Sequence, residues 1–490
     1  MTAPNNCPKP IVNTSYKRPV LSIFFQLDPR NPTIGGIQTC IKYVIKYAPP
    51  AFRIQLIGIT DQASEVGKWQ AVRLYGREFK FLPLLQVADD NVRGFIPTTM
   101  KYAWALRKYL RKRPLTSDLY QFHRIEPTLF TKRLTGTKLL YIHNDIYQEV
   151  KGGQKGGILW KRFPWLYFAL ERRLVSQFNR ILSCNSESVS LYQQQYPEIA
   201  QRVSYLRNTF DSELFYPPQN KVAARNQLSK RLSLPEGRRF ILFAGRLHPQ
   251  KQPLLLVQAM AQLQAQLKGS LPMTPETSPS ETSPSETAPS ETSPSETAPN
   301  SLAATPICPH LIVVGKGELE RQVRNEVSQL GLSSHVTFLG PMPQSELADL
   351  YRACDVFALT SAYEGLARGS LEALACGTPI VTTRAGETPK FLEPDSGIVC
   401  DRPTPRGIAQ CWHTVLTQPA QFPASACLRV AAPYEAQQVV ETLYGDLLTH
   451  WHRQHQRYPD PNEPPHNGYA RRTDGLHASK PALADTRPSL

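Results

Sequence analysis

Two glutamates and two cations are the residues in this sequence best suited to chemistry. Glu364 and Glu372, with seven residues between them, lie in CDVFALTSAYEGLARGSLEALACGTPIVTT, residues 354–383. A carboxylate presents two acceptor oxygens side by side and suits two neighbouring hydroxyls, such as a sugar or ribose diol. Arg246 and Lys251 lie in GRLHPQK, directly after the apolar run FILFA. A planar guanidinium fork and an ammonium point charge together suit a diphosphate. Taken singly, each of the four reads as a solvated loop residue or as first-turn complementation of a helix dipole. Together, in this order, they suit a site that grips a sugar, a ribose and a diphosphate at once.

The elements around these residues follow from the pattern of apolar runs. Residues 356–360 read as a strand, 361–369 as a loop and 370–376 as a helix stopped by Gly377-Thr378-Pro379, with a new strand from Ile380. This places Glu372 in the first turn of the helix. The backbone N–H groups near Gly369 and Ser370 point at the loop, where they favour an anion. The same strand–loop–helix unit recurs at FILFA and at HLIVV, the latter followed by Gly315-Lys316-Gly317. It recurs earlier at VLSIFFQ, where Gly35-Gly36 precedes a helical pattern over 37–47. DLYQFH and KLLYIH read as strands ending in His123 and His143. Ligands of parallel α/β sheets sit at the carboxyl ends of strands, so both histidines are placed at a site.

The domain plan is an α/β chain of two halves. Residues 1–18 read as a flexible tail, 19–217 as a first Rossmann-like domain and 218–433 as a second, divided at Pro217-Pro218. The second is interrupted at 269–306 by an insert in which SPSET or APSET recurs every five residues; such a segment has no core to bury and is expected to be disordered. Residues 434–456 read as a terminal helix packing back on the first domain, and 457–490 as a disordered tail.

Composition narrows the function classes. The 490 residues, 41% hydrophobic, suffice for two or three cored domains. No apolar run is long enough to span a bilayer, and MTAPNNCPKP has no signal-peptide core. Nine scattered cysteines without a C-x-x-C pair fit a reducing cytoplasm and no zinc site. The net charge of +16 sits entirely in residues 1–218, which hold 31 Lys and Arg against 15 Asp and Glu. Its densest runs are 107–113 and 151–173, the second carrying Trp160, Phe163, Trp165, Tyr167 and Phe168. Basic residues interleaved with aromatics suit an anionic membrane surface on the cytoplasmic side. A helix whose aromatics face the core accounts for them equally, and nucleic acid ranks third because no nucleic-acid motif is present.

On these residues the chain resembles the family 4 retaining glycosyltransferases of GT-B fold. The match rests on FAGRLHPQK at 243–251, VVGKGELE at 313–320, VTFLGPMP at 336–343 and EGLARGSLEALACGTPIV at 364–381, with IGGIQ at 34–38 and LRNTFDSELFYP at 206–217. The resemblance implies two Rossmann-like domains facing across a cleft. It implies sugar transfer, with retention, from a nucleotide-diphosphate sugar to a saccharide or lipid-linked acceptor in polysaccharide, glycolipid or cell-envelope glycan synthesis. It assigns Arg246 and Lys251 to the donor diphosphate, Glu364 to the sugar hydroxyls, Glu372 to the ribose, Gly36 to close approach of the diphosphate and His143 to the sugar. Gly315, Gly317, Leu339 and Met342 would line the nucleobase, with Gly365 and Leu366 beside Glu364 completing the donor set. No metal or other cofactor is implied. The loop departs from the family at Leu366-Ala367-Arg368-Gly369, where an aromatic, glycine, leucine and proline are usual; Ala367 crowds the sugar and Arg368 adds a charge. The rival readings are an epimerase or phosphorylase, and a non-catalytic nucleotide-sugar-binding or scaffold protein of the same fold.

Overall fold

The computed structural model describes residues 18–31, 35–87, 97–143, 164–269 and 307–457. The insert, both tails and most of the basic run 151–173, including Trp160 and Phe163, lie outside these residues. Two sheets form the frame. The first comprises β1 (Val20–Phe24), β2 (Arg53–Thr60), β3 (Gln70–Leu74), β4 (Arg77–Gln86), β5 (Leu119–Phe122), β6 (Thr137–Ile142), β7 (Arg180–Ser183) and β8 (Val203–Tyr205). Its spatial order is β3-β4-β2-β1-β5-β6-β7-β8. The second comprises β9 (Arg238–Ala244), β10 (Cys308–Val314), β11 (Val336–Leu339), β12 (Val356–Leu359), β13 (Ile380–Thr382) and β14 (Gly397–Val399). Its order is β11-β10-β9-β12-β13-β14, parallel throughout.

The central strands are apolar along their whole length because helices cover both faces. On the first sheet, one face packs Leu21, Ile23, Leu56 and Phe81 against the helix Gly36–Lys46, and the other packs Phe24, Ile57, Tyr120 and Phe122 against the helices Thr98–Lys112 and Pro164–Val175. The second sheet is sandwiched in the same way, with Leu242, Ile312 and Phe357 on one face and Ile241, Val313 and Val356 on the other.

The sheets are parallel as expected of Rossmann-like domains, except at one edge of the first. β3 and β4 form an antiparallel hairpin at the edge of the first sheet. Tyr75 and Gly76 turn it with φ of 51° and 75°. Two consecutive positive φ values match the right-handed strand twist, and the usual sequence marker is Asn-Gly or Asp-Gly. A tyrosine in that place hides the turn.

The final helix Ala436–Arg457 lies on the first half. Val440, Leu443, Tyr444 and Leu447 enter the core beside Ile41 and Val44, and Tyr444 donates to the Val44 carbonyl at 3.0 Å. Among the described residues the chain therefore crosses between halves twice, and the crossings lie side by side. Phe210 N–H donates to the Tyr434 carbonyl at 3.1 Å, and Ala436 N–H to the Phe210 carbonyl at 2.8 Å. No helix among the described residues is long and apolar enough to cross a membrane.

Candidate functional site

The carboxyl ends of the two sheets face each other. From the second sheet come the loops after β9, β10, β12 and β13. From the first come the Gly35-Gly36 helix start and the ends of β5, β6 and β7. Asn185, which caps the helix Ser186–Gln195 after β7, donates from Nδ2 to the Glu364 carbonyl at 3.4 Å. Asn208 donates to the Leu366 carbonyl at 3.2 Å. Glu387, after β13, accepts from both the Ser186 N–H and its hydroxyl at 2.8 Å. Lys390 bridges Glu387 and Glu187 at 3.0 Å. These contacts join the halves around the loop that carries Glu364.

Glu364 is only 9% exposed. Its Oε1 accepts from the Ser361 hydroxyl at 2.6 Å and is in short contact with Lys251 Nζ. Lys251 ends a short turn after β9, and Gln252 beyond it takes φ 47° before Pro253 opens the next helix. This puts the ammonium on the carboxylate. Arg246 stands exposed in the same loop, with no ion pair among the described residues. The structure thus gathers Lys251 and Glu364 across 113 residues, with Arg246 exposed in the loop that bears Lys251.

Glu372 lies elsewhere than expected. The helix starts at Arg368, not Ser370, so Glu372 falls one turn in rather than in the first turn. The start is earlier because Gly369 lets the backbone pass close to Phe357 and Tyr351; a Cβ there would come within 2.9 Å of both side chains. Glu372 is 5% exposed and pairs with Arg368 Nη2 at 3.3 Å. Burial raises its carboxyl above the ordinary range, opposed by Arg368 and by a hydrogen bond from Tyr351. Arg368 also reaches the other half. Its guanidinium lies 4.9 Å over the Tyr43 ring, and Nη1 donates to the Gly36 carbonyl at 3.4 Å. Glu372 is therefore sequestered by Arg368, while Gly36 faces the same arginine.

Gly315 and Gly317 hold loops together. A Cβ at Gly315, whose φ is 124°, would lie 2.1 Å from the Gly245 carbonyl oxygen, and one at Gly317 would lie 2.3 Å from that of Leu247. Both glycines let the β10 loop lie against the β9 loop that bears Arg246. Leu339 and Met342 are half-buried beside the core under that loop. Gly365 accepts from the Glu387 N–H at 2.9 Å, and Leu366 is buried. On the facing side His143 Nε2 lies 2.7 Å from His123 Nδ1. Sequence reasoning assigned no role to Arg368, Asn185, Glu387 or Lys390. Asn185 before Ser186-Glu187 has the residue type of a helix N-cap, but nothing local encodes its reach across the cleft.

Comparison with known proteins agrees with this frame. Residues 303–425 match the family model described as Glycosyl transferases group 1. The chain is 30% identical over 228 residues to a D-inositol 3-phosphate glycosyltransferase of Stackebrandtia nassauensis, covering 46% of this chain and 42% of that one. A protein of the same name from Corynebacterium jeikeium is 31% identical over 192 residues, covering 39% and 38%. The chain thus spans well under half the length of these curated relatives. Sucrose-phosphate synthase from Thermosynechococcus elongatus superposes with a TM-score of 0.65 at 16% identity, covering 89% of this chain and all of that one. Anabaena Alr3699/HepE in complex with UDP and glucose gives 0.59 at 15%, covering 88% and 100%. WaaG, a glycosyltransferase involved in lipopolysaccharide biosynthesis, gives 0.61 at 15%, covering 86% and 98%. The fold is GT-B: two α/β domains of the kind these glycosyltransferases share. Residues 303–425 are the part of the chain that matches the group 1 glycosyl transferase model.

Proposed function

We propose that this chain is a family 4 glycosyltransferase that moves a sugar from a nucleotide-diphosphate donor to a hydroxylated acceptor with retention of configuration. The observation that carries this reading is the Lys251–Glu364–Ser361 cluster at adjacent strand ends facing the first half, with Arg246 in the same loop as Lys251. Lys251 and Arg246 would meet the diphosphate, and Glu364 would hold a sugar hydroxyl. The bond from the anomeric carbon to the diphosphate breaks, and the acceptor oxygen bonds to that carbon on the same face. The acceptor's proton leaves with the diphosphate. Cationic side chains stabilise the leaving group directly, so the reading needs no metal. A UDP-sugar is the first donor to try, since HepE is described with UDP and glucose. A thermal-shift panel of nucleotide sugars, followed by NMR of the product's anomeric proton, tests the reading. A donor that raises the melting temperature and yields a retained linkage supports it. No shift and no transfer with any donor overturns it.

A basic first domain suits an anionic acceptor or membrane, and one observation favours the membrane. Trp104, Trp165 and Leu166 are 49%, 68% and 44% exposed, on two helices that pack on the same sheet face and end in Arg111-Lys112 and Arg172-Arg173. Tyr167 is buried instead and donates to Glu171, so it belongs to the core. Exposed tryptophan beside cationic side chains suits the headgroup layer. Co-sedimentation with anionic but not neutral vesicles at low salt is the expected outcome; equal recovery with both removes this part. A cytoplasmic location and a role in cell-envelope or polysaccharide glycan synthesis complete the reading.

A further inference from the structure

His143 ends a row of hydrogen-bonded side chains that the roles above leave unexplained. Gln121 lies in β5, with His123 just past its end and His143 just past the end of β6. Gln121 Nε2 is 3.0 Å from His123 Nε2, and His123 Nδ1 is 2.7 Å from His143 Nε2. A carboxamide NH2 only donates, so His123 Nε2 accepts. A neutral imidazole that accepts on one nitrogen carries its proton on the other. His123 Nδ1 therefore donates, His143 Nε2 accepts, and the proton of His143 sits on Nδ1. That Nδ1 has no partner among the described residues.

The surroundings lock the row in place. The two imidazoles stack at 5.0 Å and 19°. Tyr141 stands edge-on to both, at 5.6 and 4.2 Å, and Phe25 packs on His123 at 6.0 Å. Gln121 and His123 are buried. Burial holds His123 down to about 3. Burial, then His123, Arg124 and Arg368, holds His143 well below the ordinary histidine range. Both shifts favour the neutral rings.

We propose that Gln121 and His123 are positioning residues that fix His143 as its neutral Nδ1–H tautomer, giving the cleft one directed N–H donor for an acceptor oxygen and no base. The acceptor would be a sugar hydroxyl or phosphate oxygen of the donor, which rests on the sugar-transfer reading; the tautomer itself does not. Histidine tautomers are otherwise set by whichever partner the second nitrogen finds, and here that partner is supplied by a chain one residue deeper.

Ring-15N histidine NMR of the full chain without ligand, from pH 5 to 8, tests this, with His143 assigned through His143→Gln. The expected spectrum shows a protonated Nδ1 and a bare Nε2 on His143, with no titration in that range. His123→Leu should free Nε2 and let His143 populate both neutral tautomers, whereas His123→Asn, which keeps an N–H near the Nδ1 position, should restore the wild-type pattern. With a donor in hand, kcat/KM should fall about 10-fold in His123→Leu and recover in His123→Asn. A proton on His143 Nε2, or titration of the wild-type ring, overturns the proposal from the wild-type spectrum alone. An unchanged His143 pattern in a folded His123→Leu does the same. If the pattern holds but no nucleotide sugar binds, the tautomer stands and the sugar-transfer reading fails.

Discussion

On the second sheet's side the two buried carboxylates are already paired: Glu364 with Lys251, Glu372 with Arg368. On the first sheet's side a row of uncharged groups, Gln121 and His123, runs beneath the surface and ends at His143. A buried charge without a partner is costly, so the charged side must stay internally satisfied until an anionic ligand competes for its cations. The neutral side has no such constraint and can keep a fixed direction at all times. One side can respond to a ligand's charge, and the other aims a single proton.

The largest expected effect tests whether the charged side depends on pairing. Arg368→Leu leaves the Glu372 carboxylate buried without its cation and should lower stability by about 3–5 kcal/mol in urea unfolding. The double variant with Glu372→Gln should recover most of that. A single-variant loss below about 1 kcal/mol would mean the pair contributes nothing as a pair. Next, Glu364→Gln keeps the shape but removes the charge. Turnover on an identified donor should fall about 10²–10³-fold, with a smaller loss of stability than in Arg368→Leu because Lys251 keeps 21% of its side chain exposed. An unchanged rate removes Glu364 from the reaction.

The neutral side should show itself through pH. His123 has its folded-state value lowered to about 3 by burial, against about 6.5 in the unfolded chain. Above pH 6.5 neither state binds that proton, and stability does not change on its account. Between pH 6.5 and 3 the unfolded chain binds it and the folded chain does not. Stability then falls as pH falls, by up to about 1.4 kcal/mol per pH unit. Urea unfolding at pH 6.5 and 5 should show a shallower fall for His123→Gln; equal falls would place the acid sensitivity elsewhere. The smallest effect concerns the link between the sides. Lys390 is half exposed, so Lys390→Met should cost only about 0.5 kcal/mol, and a larger loss would promote it to a main tie between the halves.

The sequence made the frame legible because strands buried on both faces leave unbroken apolar runs, as in FILFA and HLIVV. Lys251 and Glu364 were legible as partners for one ligand because each follows such a run. Arg368 was noticed only as an oddity. Its reach to the Gly36 carbonyl joins residues 332 positions apart, and no local pattern encodes such a contact. The sequestration of Glu372 is a local i,i+4 pair with Arg368, and it went unread because a helix expected to begin at Ser370 leaves Arg368 in the loop. The β3–β4 hairpin was missed because Tyr75 occupies a turn position that asparagine or aspartate usually announces. His123 and His143 were each placed at a strand end, but their contact required β5 and β6 to be neighbours, which is a matter of topology.

The paired crossings at Phe210 and Ala436 carry a mechanical consequence. Two strands of chain zipped by backbone hydrogen bonds behave as one jamb, and a door can swing only about its jamb. Widening of the gap between the halves would then be a rotation about that seam, in which residues near it barely shift and those on the far lip travel most.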